Sequence, residues 1–379
     1  MTDILDRTFR ANPDFELVLF DRLAEEQRLV LASLEKDPQF YGILRPRGGA
    51  SLGVKSVCRD TALLFATLGE PGAIPRYVIR EAGAQAGRTI AELVLDGVLA
   101  VQHHGAWLSG APALSLFGAP LATPPAPHKR LARLSWDALH YAASLTITDA
   151  ALLAGRLYNY NSLPVSPAAL HALPTSAGLE RAHPPSPAEW TALPATPQSE
   201  AWSAWRSRRP GSSARTGQSF KLYVSPLPAG LPAAFEATVT AARDWGALQF
   251  KLGRRGHDLL RPDKLVVYFE TRPSLEGAAT QIRHALSGCP AQGVPFTADA
   301  AGDDGLLSWG YDPPPDPSAP EWLRRESWRL KLSNRLAAAL AHAKTNPGDG
   351  VSPVDFALER IRLEGIDTHT WSPLEETKQ

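Results

Sequence analysis

The run Phe220-Lys221-Leu222-Tyr223-Val224-Ser225 alternates from one residue to the next. Successive side chains of a strand point to opposite faces of its sheet. A strand here turns Phe220, Leu222 and Val224 toward a core and Lys221, Tyr223 and Ser225 away from it. A second alternating strand follows at Leu248-Gln249-Phe250-Lys251-Leu252, and Lys264 to Phe269 is apolar enough for a central strand. Helical spacing fills the intervals at Leu231–Trp245 and Ser274–Leu286. Strands and helices mixed in this way predict an α+β fold.

A chain of 379 residues exceeds what one core usually serves. Three sections are expected: 1–120, 121–215 and 216–379. In the first, helical spacing covers Phe15–Glu35, Val54–Leu68, Arg76–Ala82 and Arg88–Leu95. Two short strands follow, around a turn at His104-Gly105. This order predicts a winged-helix-like region. The second section is rich in Pro and Ala. It is expected to be a connecting region, with helices at Ser135–His140 and Asp149–Tyr158 and loops at 183–187 and 207–213. In the third, helices are expected from Pro320 to His342 and from Val354 to Leu363.

Charge excludes some functions. The chain carries 39 basic and 39 acidic side chains, without the basic excess of a nucleic-acid binder. Residues 1–120 hold 12 basic and 14 acidic ones, which argues against a winged-helix regulator. Two cysteines, Cys58 and Cys289, make no disulfide framework. No apolar stretch is long enough for a membrane span, and no signal peptide is expected. A cytoplasmic location follows as an expectation. No Walker loop, dinucleotide loop or Gly-x-Ser-x-Gly elbow is present. His103-His104 lacks metal-ligand spacing, and Asp299, Asp303 and Asp304 lack the pattern of a calcium loop. No cofactor or metal is expected.

The chemistry concentrates off the core face of the strands. If the two alternating strands share a sheet, Lys221 and Lys251 look into one cleft. Two ammonium groups there repel each other and lower a lysine pKa. Such a pair can hold an anion or accept a proton. Arg254, Arg255 and Arg261 in the following loop, with Lys264, add donors suited to phosphate or carboxylate. Trp309, Tyr311 and Trp322 are candidates for lining a peptide groove.

Lys221-Leu222-Tyr223-Val224-Ser225 resembles the Lys-x-His-Val-Ser strand motif of phosphothreonine lyases, which recurs in the lyase domains of class III and IV lanthionine synthetases. Lys251, thirty residues later, resembles the second lysine of that family. The resemblance covers about residues 216–315, and it implies further strands within Gly293–Asp299 and Leu307–Gly310. It implies a lyase-like domain in which Lys251 removes an α-proton from a phosphorylated Ser or Thr and Lys221 contacts the phosphate. The family's histidine, which protonates the leaving phosphate, is Tyr223 here. A phenol of pKa about 10 is a poorer acid at neutral pH, and His257 is the nearest substitute in sequence. The departure implies a lyase-like cleft that binds peptide without eliminating phosphate.

The N-terminal section is similar in pattern to small winged-helix modules that bind leader peptides by strand addition. A peptide-binding protein of a crocagin-type pathway for ribosomally made, modified peptides would suit this description. The first expectation is therefore a non-catalytic precursor-peptide binder that presents its peptide to a partner modifying enzyme. The rivals are a phosphoserine or phosphothreonine lyase and a winged-helix regulator. No nucleic-acid or membrane partner is expected, and an oligomer remains open.

Overall fold

The computed structural model describes residues 4–35, 37–47, 53–117, 129–196, 199–209, 219–312 and 326–374. The fold is α+β. Its first part runs β1 (Phe9–Ala11), β2 (Phe15–Leu19), α1 (Glu25–Val30), α2 (Ala32–Glu35), β3 (Gly42–Pro46) and β4 (Lys55–Val57). It continues with α3 (Arg59–Thr67), α4 (Arg76–Ala82), α5 (Ala86–Leu95), β5 (Leu99–His103) and β6 (Ala106–Leu108). Two antiparallel three-stranded sheets result, in the orders β1-β5-β6 and β2-β3-β4. The β5–β6 turn forms where expected. His104 and Gly105 both take positive φ, +46° and +81°, as a two-residue hairpin matching strand twist requires.

The expected helix over Phe15–Glu35 is corrected. Its first five residues form β2, paired with β3 from Phe15↔Pro46 to Leu19↔Gly42. Phe15 is buried and Leu17 packs against the same core, so the segment satisfies period 2 as well as 3.6. A partner strand distant in sequence decides between them. The expected helix over Val54–Leu68 likewise splits into β4 and α3. The β2-β3-β4 sheet has no place in the winged-helix order expected for this region.

The chain continues through α6 (Arg130–Ser144), α7 (Ala150–Tyr158), α8 (Pro167–Ala172), α9 (Ser176–Ala182), β7 (Trp190–Ala192) and β8 (Trp202–Ser207). Asp149 starts α7, its side chain accepting from the Leu152 backbone N–H at 2.8 Å. The last section contains β9 (Ser219–Val224), α10 (Leu231–Asp244), β10 (Gln249–Gly253), α11 (Gly256–Leu259), β11 (Leu265–Phe269) and α12 (Arg272–Ala285). After these come β12 (Ala298–Asp299), β13 (Leu307–Asp312), α13 (Trp328–Thr345), α14 (Pro353–Leu363), β14 (Ile366–Asp367) and β15 (Ser372–Pro373). The start of the helix expected from Pro320, and Trp322, lie outside the described residues.

Seven strands form one antiparallel sheet in the order β12-β13-β9-β11-β10-β8-β7. Two of them, β7 and β8, come from the section expected only to connect. They are held by aromatic packing: Trp205 stacks on Phe250 with ring centroids 4.9 Å apart, and Trp190 meets the same ring edge-on at 4.8 Å. Leu222, Val224, Phe250, Leu265, Val267 and Phe269 share a core with Phe235 of α10 and Leu275 and Ile282 of α12. A second core joins the N-terminal sheets to α6, α7, α13 and α14. The helices that follow the sheet in sequence thus bury their apolar residues with the first 160 residues. This arrangement carries α7 and the N-terminal end of α13 to the polar face of the large sheet.

Candidate active site

The sheet register fixes the site. Tyr223 of β9 lies opposite Val266 of β11, which lies opposite Lys251 of β10. One pleat along, Lys221 lies opposite Tyr268, which lies opposite Gln249. Lys221, Tyr223, Lys251 and Tyr268 therefore share the face turned away from α10 and α12. Both ammonium groups sit beside the Tyr268 ring, Lys221 Nζ at 5.1 Å and Lys251 Nζ at 5.7 Å from its centroid.

The two lysines differ in their partners. Lys221 is buried and pairs with Asp312 of β13, Nζ to Oδ2 2.5 Å. Asp312 also accepts from the Trp328 backbone N–H at 2.9 Å, joining this pair to the start of α13. Lys251 has no hydrogen-bond or ion-pair partner among the described residues. Its ammonium lies over the Trp202 ring at 3.9 Å, a cation–π contact. Burial pushes the Lys251 pKa down to about 8; Arg261 lowers it further, while Asp263 and Asp312 oppose the fall.

Beside Lys251, Asp263 gathers three groups. Arg261 donates to it through Nε and Nη2, both at 3.0 Å, and Tyr158 of α7 donates through its hydroxyl at 3.2 Å. Arg329 of α13, almost wholly buried, places Nη1 2.8 Å from Asp263 Oδ2. Burial alone would raise the Asp263 carboxyl; the Arg329 and Arg261 guanidiniums outweigh it and hold the group well below the usual carboxylate range. Arg261 also lies 5.1 Å from the Trp202 ring centroid. Four cations, Lys221, Lys251, Arg261 and Arg329, thus meet two carboxylates, Asp263 and Asp312. The surplus positive charge favours an anionic ligand.

Tyr223 is on the expected face, but its ring packs with Val266 and Val294 in a small apolar cluster under the site. Burial pushes its hydroxyl well above the ordinary value of 10, and Asp312 adds to the rise. At neutral pH it is a phenol that can donate a hydrogen bond without giving up its proton.

The remaining expected residues separate. Arg261 joins the site. Lys264 does not, because its buried ammonium donates to the Pro226 carbonyl at 2.8 Å and to Gln292 Oε1. Arg254 is exposed. Arg255 is exposed and pairs with Glu200 at 3.2 Å. The turn into α11 carries both arginines away from the lysines, with Asp258 accepting from the Arg255 backbone N–H at 3.0 Å. His257, the expected substitute acid, is exposed and pairs with Asp258 at 3.3 Å. Trp309 and Tyr311 pack with the sheet core rather than lining a groove.

Sequence reasoning missed Tyr158, Trp202, Asp263, Tyr268, Asp312 and Arg329. Tyr268 and Asp263 were within reach, since Tyr268 falls on the polar parity of β11 and Asp263 lies two residues from Arg261. Tyr158 and Arg329 had no local signal.

No family model and no curated protein matches the sequence. Among solved structures the chain is similar to an effector protein from Pseudomonas syringae pv. tomato strain DC3000, at 11% identity over 65% of this chain and 99% of that one, TM-score 0.42. It is also similar to an effector protein from Pseudomonas syringae pv. syringae strain 61, at 14% identity over 64% and 99%, TM-score 0.40. A third is the type III effector/phosphothreonine lyase OspF from Shigella flexneri, at 12% identity over 42% and 88%, TM-score 0.29. Likeness at these TM-scores carries no argument about chemistry.

Proposed function

We propose that this chain is a lyase that eliminates phosphate from phosphorylated serine or threonine in a peptide. The observation that carries the reading is Lys251: an amine with no hydrogen-bond or ion-pair partner among the described residues and a pKa of about 8, on the same sheet face as Lys221 and beside Arg261. At pH 7 about a tenth of it is neutral and able to take a proton. In the proposed step the neutral Lys251 Nζ accepts the α-proton. The Cα–H electron pair forms the Cα=Cβ double bond, and the Cβ–O pair leaves with the phosphate.

A phosphate monoester has its second pKa near about 6. Its monoanion can therefore leave as hydrogen phosphate without an added proton. Lys221 and Arg261 would stabilise the leaving charge, and the Tyr223 phenol would donate a hydrogen bond rather than a proton. The substrate under this reading is a precursor peptide phosphorylated beforehand.

One observation favours a second reading. The buried Tyr223 stands where the lyase motif has histidine, and His257, the nearest histidine in sequence, is exposed and paired with Asp258. Under that reading the cationic face around Lys251 holds a precursor peptide without turnover and presents it to a partner enzyme. Incubation with a synthetic phosphothreonine peptide separates the two. Loss of the elements of phosphoric acid, leaving a dehydroamino acid, supports the lyase. Saturable binding with no mass change refutes it and supports the binder.

A further inference from the structure

Arg329 and Tyr158 belong to α13 and α7, whose apolar residues lie in the N-terminal core rather than in the core of the large sheet. Yet both side chains meet at Asp263. Tyr158 donates to Asp263 Oδ2 and accepts from Arg261 Nη2 at 3.2 Å. Arg329 donates through Nη2 to the Tyr158 carbonyl at 2.7 Å and through Nε to the Pro295 carbonyl at 3.3 Å. Its guanidinium lies 4.6 Å from the Tyr158 ring centroid. No hydrogen bond or ion pair among the described residues links Arg329 directly to Lys221 or Lys251.

A buried guanidinium pays a large desolvation cost, and a well-packed apolar residue is often no less stable in its place. Holding a neighbour in one orientation is a role an apolar residue could not fill. Arg261 has such an orientation to keep, since its two donors to Asp263 are both formed while its Cζ lies 5.1 Å from the Trp202 ring centroid.

Resting on the lyase reading, we propose that Arg329 and Tyr158 are positioning residues, supplied by the N-terminal core, that hold Asp263 and through it Arg261 against the phosphate subsite and Lys251. Among the described residues, the charged and titratable groups on the face of Lys251 are Arg206 of β8, Lys221, Tyr223, Tyr268 and Asp312 of the inner strands, and Arg261 and Asp263 with Tyr158 and Arg329 behind them. Releasing Arg261 removes a cation that depresses Lys251 and leaves Asp263 freer to raise it. Both changes move Lys251 in the same direction.

The test uses the full chain with Tyr158→Phe, which keeps the ring, and Arg329→Lys, which keeps the charge. Two readouts are taken. The first is the pH midpoint for modification of Lys251 by an amine-directed reagent, read by peptide mass spectrometry, which needs no turnover. The midpoint is expected to rise by about half a unit or more in both variants. The second is KM against kcat for a phosphothreonine peptide, with KM expected to rise about fivefold or more as Arg261 loses its place.

A midpoint unchanged in Tyr158→Phe, in protein that melts as the wild type does, overturns the proposal whatever the kinetics show. A shifted midpoint in an enzyme without turnover would sink the lyase reading and leave the positioning intact. Lower kcat at unchanged KM and midpoint would mark a purely structural role and likewise overturn it.

Discussion

Replacing Asp263 by Asn keeps the shape of the side chain and removes the charge that three groups share. In the wild type the carboxylate accepts two hydrogen bonds from Arg261 and one from Tyr158, with Arg329 Nη1 at 2.8 Å. The Arg329 side chain is 1% exposed, so the substitution leaves a buried guanidinium without a counter-ion. Breaking a buried ion pair from one side costs about 3–5 kcal/mol. With an unfolding entropy near about 2.1 cal/mol/K per residue and 379 residues, each degree of melting temperature corresponds to ~0.8 kcal/mol. Differential scanning calorimetry at pH 7 should therefore show a fall of about 4–6 °C.

The pH dependence gives a second check on the same variant. The Asp263 carboxyl is depressed in the folded state, so its stabilisation is complete above an unfolded pKa of about 3.9 and fades as pH falls through the folded value. The gap between wild type and variant should be constant from neutral pH down to about 5 and narrower at pH 3. A fall at pH 7 of less than about 1 °C, or a gap that does not narrow in acid, would refute the assignment of Asp263 as the electrostatic hub.

Three further outcomes follow from the same structure. The elimination rate under kcat conditions should peak near pH 7 and fall about tenfold by about pH 5 and by about pH 9, because the phosphate monoanion is lost above about 6 and neutral Lys251 is lost below about 8; a rate that holds level from about pH 6 to about pH 5 would exclude Lys251 as the base. Lys251→Met should be more stable than the wild type at pH 7. The depressed lysine costs stability below its folded pKa, and that cost shrinks toward pH 10.5, so the difference in urea melts should fall by up to ~1 kcal/mol per pH unit above pH 8. Phe250→Ala, in a fully buried position against Trp190 and Trp205, should cost about 3–5 kcal/mol, and an effect under about 1 kcal/mol would mean that β7 and β8 do not pack as described.

Period-2 patterning made β9 and β10 legible, because each buries one face under α10 and α12 and turns its lysine to the other, while β11 was legible as an apolar run. The placement of Lys221 and Lys251 on one face follows from that parity alone. The β2 strand was not legible, since Phe15 and Leu17 fit either period and the partner that selects a strand begins at Gly42. The edge strands β7 and β8 were hidden by the surrounding Pro and Ala, although the tryptophans that pin them were in plain view. At the site, Arg261 could be read from its neighbourhood, but Lys264 could not be told from a surface lysine until Pro226 and Gln292 were seen around it. Tyr158 and Arg329 reach Asp263 across 105 residues and 66 residues of chain respectively, a contact that only the packing of two cores creates.

The central claim is that Lys251 takes a proton from the α-carbon. A phosphoserine peptide deuterated at that carbon tests it, with the product of single-turnover reaction read by mass spectrometry. The account predicts a dehydroalanine product without the deuterium, formed more slowly than from the protiated peptide, and no such product with Lys251→Met. A dephosphorylated product that retains the deuterium, or elimination that persists in Lys251→Met, would contradict it.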